Sequence, residues 1–411
     1  MIIMLATLIP LFDENMVVSS YSIFVQKDNF LLNPSFMGSG RFDGATHVEG
    51  LEIVDSIGME TLSGDKDVFV EINNVSIFSN VDEQCGEPHG RIVFLVDDTV
   101  APVKDYIDRL KELKSKGYKL AIQKLPIEKF EPYREILSLM DYILLNHKKI
   151  KIEVAKVYFG KVYPNIRLCA VNVETQEEFD KLKADGGYDL YEGSFFRKPR
   201  KTEGTEVAPL KVNYIELLNV VNDSDFDLSD AAKVIGRDTA LVISLLEMVN
   251  RMTVNKGISS VAHAASMLGQ KELKRWINTA VTKELCADRP SEITRLSMLR
   301  AKFAENLAQV FEMPMQANEL FLMGLFSVLD VILDKPIEEA LKMVKVSKEI
   351  EDALIKGTGN FAPVMDFVVQ YENAFWQEVS RQMVLSEIDM DAVYNAYIES
   401  LRWYRDLFSN K

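Results

Sequence analysis

The sequence predicts an α/β domain followed by an all-α domain, the first a modified (β/α) barrel of TIM-like type. Three observations carry this. A chain of 411 residues is longer than one ordinary domain of roughly 100–200 residues. Its first half alternates short β-branched runs with helical patterns, the signature of a parallel sheet with crossover helices. From Asn213 onward no strand pattern occurs, only helical periodicity.

The elements follow in order. The apolar start, Met1 to Phe12, lacks the basic flank and small-residue cleavage site of a signal peptide and reads as a buried strand. Asp67–Ile72 and Arg91–Val96 are the next strands. A charged helix over Val103–Lys116 is closed by Gly117, which suits the left-handed position past a helix end. Strands follow at Tyr118–Gln123, Tyr142–Leu145 and Arg167–Val171, and Thr175 caps a helix over Thr175–Ala184 with Glu178 three residues on. So many units in about 200 residues favour a closed barrel over an open sheet.

In the second half, Ile235, Leu241, Leu245, Met248 and Val249 recur at helical spacing, as do Leu320, Met323, Leu325, Val328 and Ile332. Asp238 and Ser260 are N-cap candidates, and Gly269 is a C-cap candidate. The polar stretch Arg197–Val212, with two prolines and no period, is the boundary. The expected domains are therefore 1–200, a linker at 201–212, and 213–411.

The charge is −15, with −7 on residues 1–200 and −8 on the rest, so neither half is a polyanionic tail. An acidic chain disfavours nucleic acid and anionic lipid as partners, because that adhesion is driven by Lys and Arg neutralising phosphates. Cys85, Cys169 and Cys286 are odd in number and far apart, which argues against a disulfide framework and for a reducing cytoplasm. No run reaches the ~18–20 apolar residues of a membrane span.

Several residues in the first half carry a resemblance. Pro10-Leu11-Phe12-Asp13 followed by Tyr21-Ser22-Ile23-Phe24-Val25-Gln26 resembles the opening of EAL domains, the cyclic-di-GMP phosphodiesterases. Val68–Asn73, Gly117–Ala121, Val173-Glu174-Thr175 and Tyr191–Pro199 keep that family's order and spacing over about residues 4–200. The resemblance implies a barrel that, in the family, holds two divalent metals on carboxylates and an Asn at the strand ends. It places the name-giving Glu at Ser22, the Asn ligand at Glu71 and the next Glu at Phe94. It places the paired Asp at Gln123 and Lys124, the catalytic Lys at Leu144, its companion Asp at Asn146 and a further Glu at Val171. Glu174 alone is retained. On this reading the domain is degenerate and the chain is not an enzyme, with no cofactor. Gln26, at the family's dinucleotide-binding arginine, and Glu192 and Arg197, in the closing motif, are the candidates for nucleotide binding without hydrolysis.

The second half resembles HDOD domains. Ile235–Leu241, Leu245–Asn250, Ile258–Ala264, Met267–Gly269 and Leu273–Trp276 carry the likeness over roughly 210–400, with Thr239 where Pro is usual. HDOD domains are related to His-Asp phosphohydrolases without their metal site. None of His47, His89, His147 and His263 is followed by Asp, and only His263 lies in the helical half. The combined resemblance implies a cytoplasmic signalling scaffold of the motility or biofilm type, partnered by other regulatory proteins or by a second copy of itself. Binding of cyclic-di-GMP is the alternative, and residual phosphodiesterase activity the second alternative.

Other features have plainer readings. Asp97-Asp98 reads as a turn or cap pair, and His147–Lys151 and Arg197–Lys201 as solvated basic runs. Cys169 reads as an apolar filler, and Cys286 as a thiol with no activating His nearby in sequence. Gly38-Ser39-Gly40 lacks the rest of a phosphate loop. The methionines of the helical half, Met313, Met315, Met323, Met343 and Met365, offer adaptable apolar surface for a partner.

Overall fold

A computed structural model describes residues 4–27, 29, 31, 47–198, 209–223, 225–252, 258–289 and 291–408. Eight strands close into a barrel in sequence order. They are β1 (Leu5–Phe12), β2 (Val18–Gln26), β3 (Asp67–Glu71), β4 (Ile92–Val96), β5 (Lys119–Gln123), β6 (Tyr142–Asn146), β7 (Arg167–Val171) and β8 (Leu190–Glu192). The strand β1 runs antiparallel to both β2 and β8, while β2 through β8 are mutually parallel. This is the modified barrel expected above. The first two strands form a hairpin, turned at Asp13, whose carboxylate accepts from the amides of Asn15 (2.8 Å) and Val17 (2.9 Å).

Alternation along the strands fills the barrel. Leu11, Phe69, Leu95, Leu144, Cys169 and Leu190 meet in its interior, all nearly inaccessible to water. Their sequence neighbours point outward beneath the crossover helices, of which we label α1 (Glu49–Ile57), α2 (Lys104–Ser115), α3 (Ile152–Val162) and α4 (Gln176–Asp185). The helix α1 sits close, since a Cβ on Gly50 would lie 2.7 Å from Cγ1 of Val70. The predicted cap forms: the Thr175 hydroxyl accepts from the Glu178 amide at 3.1 Å, and Glu178 accepts from the Glu174 amide at 2.8 Å. Past α2, Gly117 takes φ 94°, as its position required.

The second half is helical throughout its described residues: α5 (Pro209–Val221), α6 (Leu228–Ile235), α7 (Thr239–Met252), α8 (Val261–Leu285), α9 (Ser291–Val310), α10 (Ala317–Phe326), α11 (Ala362–Glu372), α12 (Trp376–Leu385) and α13 (Met390–Phe408), with shorter turns between. Asp238 caps α7, accepting from the Leu241 amide at 3.0 Å. Ser260 precedes α8 but makes no side-chain cap bond. Gly269 breaks α8 with φ 71°, so the residue expected to end a helix instead kinks one.

The domain limits differ from those expected. One compact unit is 1–198 with 306–314 and 366–411; the other is 199–305 with 315–365. The break at Lys198/Pro199 falls beside the expected linker 201–212, of which 201–208 lie outside the described residues and 209–212 already belong to α5. The C-terminal residues 366–411, which hold all but the first turn of α11 together with α12 and α13, cluster with the barrel and not with the helical domain. Tyr371, fully buried, donates its hydroxyl to the Ala6 carbonyl (3.0 Å) and accepts from the Ala6 amide (3.2 Å). Arg405 donates to the Thr61 hydroxyl at 2.9 Å. Periodicity reports that a helix has an apolar face, not which surface covers it.

Candidate functional site

Because β2 through β8 are parallel, their carboxyl ends gather at one mouth, where a barrel of this kind presents side chains on its loops. Two cavities open there. One, of about 220 Å³, is bordered by Glu71, Asn73, Asp97, Gln123 and His47. The other, of about 430 Å³, is bordered by Lys124, Asn146, Lys149, Asn172 and Glu192, with Gln123 shared between the two.

The polar groups at the mouth are largely tied to one another. Gln123 donates its amide to Glu71 at 2.5 Å. Lys148 reaches Glu174 at 2.7 Å and Glu178 at 3.7 Å. His147 Nε2 lies 3.0 Å from the Asn172 carbonyl, and Asn146 accepts from the Lys148 amide at 3.0 Å. Asp97 accepts from the Thr99 amide (3.0 Å) and hydroxyl (2.6 Å), and Asp98 pairs with Lys129 at 2.6 Å. Asp97 thus takes the turn role expected of the pair, whereas the Asp98 side chain forms an ion pair instead. Lys124 and Asn172 both follow strand ends in the left-handed region, at φ 56° and 64°. Asn adopts it readily, whereas Lys does so at some cost.

Glu192 stands apart. It ends β8 and faces the larger cavity, and desolvation pushes its carboxyl up to about 7. It therefore titrates near neutral pH, where a carboxyl can both donate and accept a hydrogen bond.

The structure brings together only some of the predicted site residues. Glu71, Gln123, Lys124, Asn146 and Glu192 share the mouth, with Leu144 and Val171 also on its wall. Ser22 is buried in β2 opposite Phe69. Glu174 is exposed beside Lys148. Phe94 does not stand at a ligand position. Its neighbours Val93 and Leu95 point into the barrel, so Phe94 points out, where it meets Tyr118 at 4.7 Å between ring centroids. A shift of one residue along a strand exchanges its two faces, and spacing from a resemblance does not resolve one residue.

Gln26 and Arg197 are engaged elsewhere. Gln26 is buried and donates to Ser380 at 2.8 Å, and Arg197 donates to Glu372 (2.9 Å) and Asn373 (2.7 Å) while lying over the Phe196 ring. Neither borders the cavities at the mouth; of the three expected nucleotide contacts only Glu192 does. Residues that sequence reasoning did not bring to a site are His47, Asn73 and Asn172, while Lys149, read there as part of a solvated basic run, borders the larger cavity. Asn172 had a readable signal, an Asn directly after a strand end.

As for metals, among the described residues no three His, Cys, Asp or Glu side chains converge on one point. Glu71 is bonded to Gln123 and Glu174 to Lys148, so the donors present do not match a two-metal site. Cys85, Cys169 and Cys286 are all buried and free. Burial raises each thiol, that of Cys286 to about 12, which makes them packing groups.

Comparison with known proteins adds the following. Residues 207–353 match the model of the HDOD domain. The cyclic di-GMP phosphodiesterase CdgJ of Vibrio cholerae is 28% identical over 326 residues, 78% of this chain and 74% of that protein. The uncharacterized protein YuxH of Bacillus subtilis is 28% identical over 370 residues, 87% of this chain and 88% of its own length. Among solved structures, Klebsiella pneumoniae BlrP1 in a manganese and cyclic-di-GMP complex is 16% identical, covering 47% of this chain and 55% of its own, with a TM-score of 0.38.

The CdgJ match corrects one expectation. The reading that this chain is no enzyme rested on comparing single positions with a motif, and a relative that spans three-quarters of the chain is named a phosphodiesterase. The outward turn of Phe94 shows the weakness of that comparison. The chain carries an HDOD domain at residues 207–353, set behind a closed eight-stranded barrel, and is related to proteins of cyclic-di-GMP signalling.

Proposed function

We propose that this chain acts in cyclic-di-GMP signalling, with the barrel mouth meeting the dinucleotide and the helical domain passing the signal on by contact with regulatory proteins, as in control of motility or biofilm. One observation carries the reading: the cavity of about 430 Å³ sets Lys124 and Lys149 beside Asn146, Asn172 and Glu192. Two ammonium groups suit phosphodiester oxygens, and amides with a carboxyl near its titration point suit the donor and acceptor edges of guanine. The relation to CdgJ supports the same ligand class.

Calorimetry of the full chain with cyclic-di-GMP tests this. Saturable heat is expected, with affinity reduced about tenfold or more by Lys149→Met. No heat at high protein concentration would sink the proposal. The CdgJ name favours a second reading, turnover of the dinucleotide, so the same samples are followed chromatographically for product with Mg²⁺ or Mn²⁺ titrated in. Product above a protein-free control carries the reading from binding to hydrolysis.

A further inference from the structure

We propose that the helical domain holds a ligand site of its own: a cavity that takes a small organic anion with a flat apolar body, headed by Lys271 and Lys274 and walled by Phe226, Phe321 and Leu322. The cavity measures about 410 Å³, within the size range of small-molecule sites. It lies wholly within the unit 199–305 with 315–365 and is separate from the barrel mouth.

The local sequence explains how it forms. Gly269, at φ 71°, breaks α8 and re-aims the segment that follows. Lys271, Lys274 and Arg275 then stand at i, i+3 and i+4, one face of that segment, and face Phe321 and Leu322 of α10. At the cavity wall Asn278, 1% exposed, exchanges amide hydrogen bonds with Asn222 at 3.0 and 3.3 Å, which holds that side rigid.

Charge accounting identifies what is missing. Arg275 is bound to Glu305 at 2.7 Å and lies 5.2 Å over the Phe321 ring. Lys302 also holds Glu305, at 2.9 Å, and Lys345 holds Asp223. The half-buried Lys274 differs. Among the described residues its ammonium makes no hydrogen bond or ion pair, and Glu319 acts on it only from farther away. Desolvation accordingly lowers its pKa. An ammonium drawn from water beside aromatic walls is destabilised until an anion joins it. A bare inorganic anion would leave the half-exposed Phe226 wall wet, and a neutral apolar molecule would leave Lys274 uncompensated. An anion with a flat body satisfies both.

The test uses the full chain and 8-anilinonaphthalene-1-sulfonate, an aromatic anion whose fluorescence rises on leaving water. Saturable one-site binding is expected. Lys274→Met removes the charge, Asn318→Trp at the exposed rim fills the opening, and each is expected to weaken binding about tenfold or more. Lys233→Met, on the exposed face of α6, leaves it unchanged. Should Lys274→Met lose its cooperative melt, Asn318→Trp decides alone. Displacement by guanosine monophosphate assigns the site to nucleotides, and displacement by 2-naphthoate alone to aromatic carboxylates. Absence of saturable binding, or equal affinity in the wild type and the folded cavity variants, overturns the proposal.

Discussion

At the scale of single residues, Glu192 makes the clearest demand. Its carboxyl has an ordinary value of 4.5 and is raised to about 7 by desolvation, so the native state holds the proton more tightly than the unfolded state. Stability from this group is therefore intact below pH 4.5, falls between 4.5 and 7, and stays reduced above. Glu192→Gln removes the titration. Urea denaturation at pH 5 and pH 8 should show the variant gaining on the wild type by about 1–3 kcal/mol across that interval. A difference that does not change with pH would mean that Glu192 is ionised as in water. Phe94 teaches the complementary lesson: its identity was plain from the sequence, but its direction came only with the strand register.

At the scale of elements, short-range rules were legible in most places, though not at Ser260, which makes no cap bond, or at Gly269, which kinks a helix it was expected to end. Arg167–Val171 was read with its observed limits, and the Thr175 cap formed as spaced. The strand β8 is three residues long, too short for a period to show, and only the family motif placed it. Directly after it stands Gly193, at φ 153°, where a Cβ would lie 1.9 Å from the Val173 carbonyl oxygen. That contact is with backbone and cannot be relieved by turning a side chain. Gly193→Ala should destabilise the barrel by at least about 2–3 kcal/mol in equilibrium denaturation, because the loop must open to admit the methyl group. A variant as stable as the wild type would mean that the loop after β8 is soft. The same loop closes the barrel, so an opened loop should also weaken the nucleotide binding proposed for the mouth.

At the scale of the whole molecule, the chain does not divide where its residue pattern changes. Residues 366–411, carrying most of α11 with α12 and α13, follow the helical domain in sequence but belong to the barrel's compact unit, through Tyr371 on Ala6, Ser380 on Gln26 and Arg405 on Thr61. A chain ended at residue 365 should therefore lose the barrel's cooperative melt, or melt far lower, when followed by near-ultraviolet circular dichroism. An unchanged barrel transition would show that these helices are dispensable to it. No helix among the described residues is long and apolar enough to cross a membrane.

The sequence by itself determined the two architectures, most of the strands and caps, the burial of Cys169 and the HDOD domain, since these rest on periodicity, capping and short motifs encoded within a few residues. Tertiary structure alone decided which side of β4 faces the mouth, that Gln26 and Arg197 are held by the C-terminal helices, and that Lys274, among the described residues, stands in a cavity without an ion-pair partner. Each of these depends on residues far apart in the chain. Alternation and helical spacing record that a side chain is buried or exposed, but not the distant group it meets.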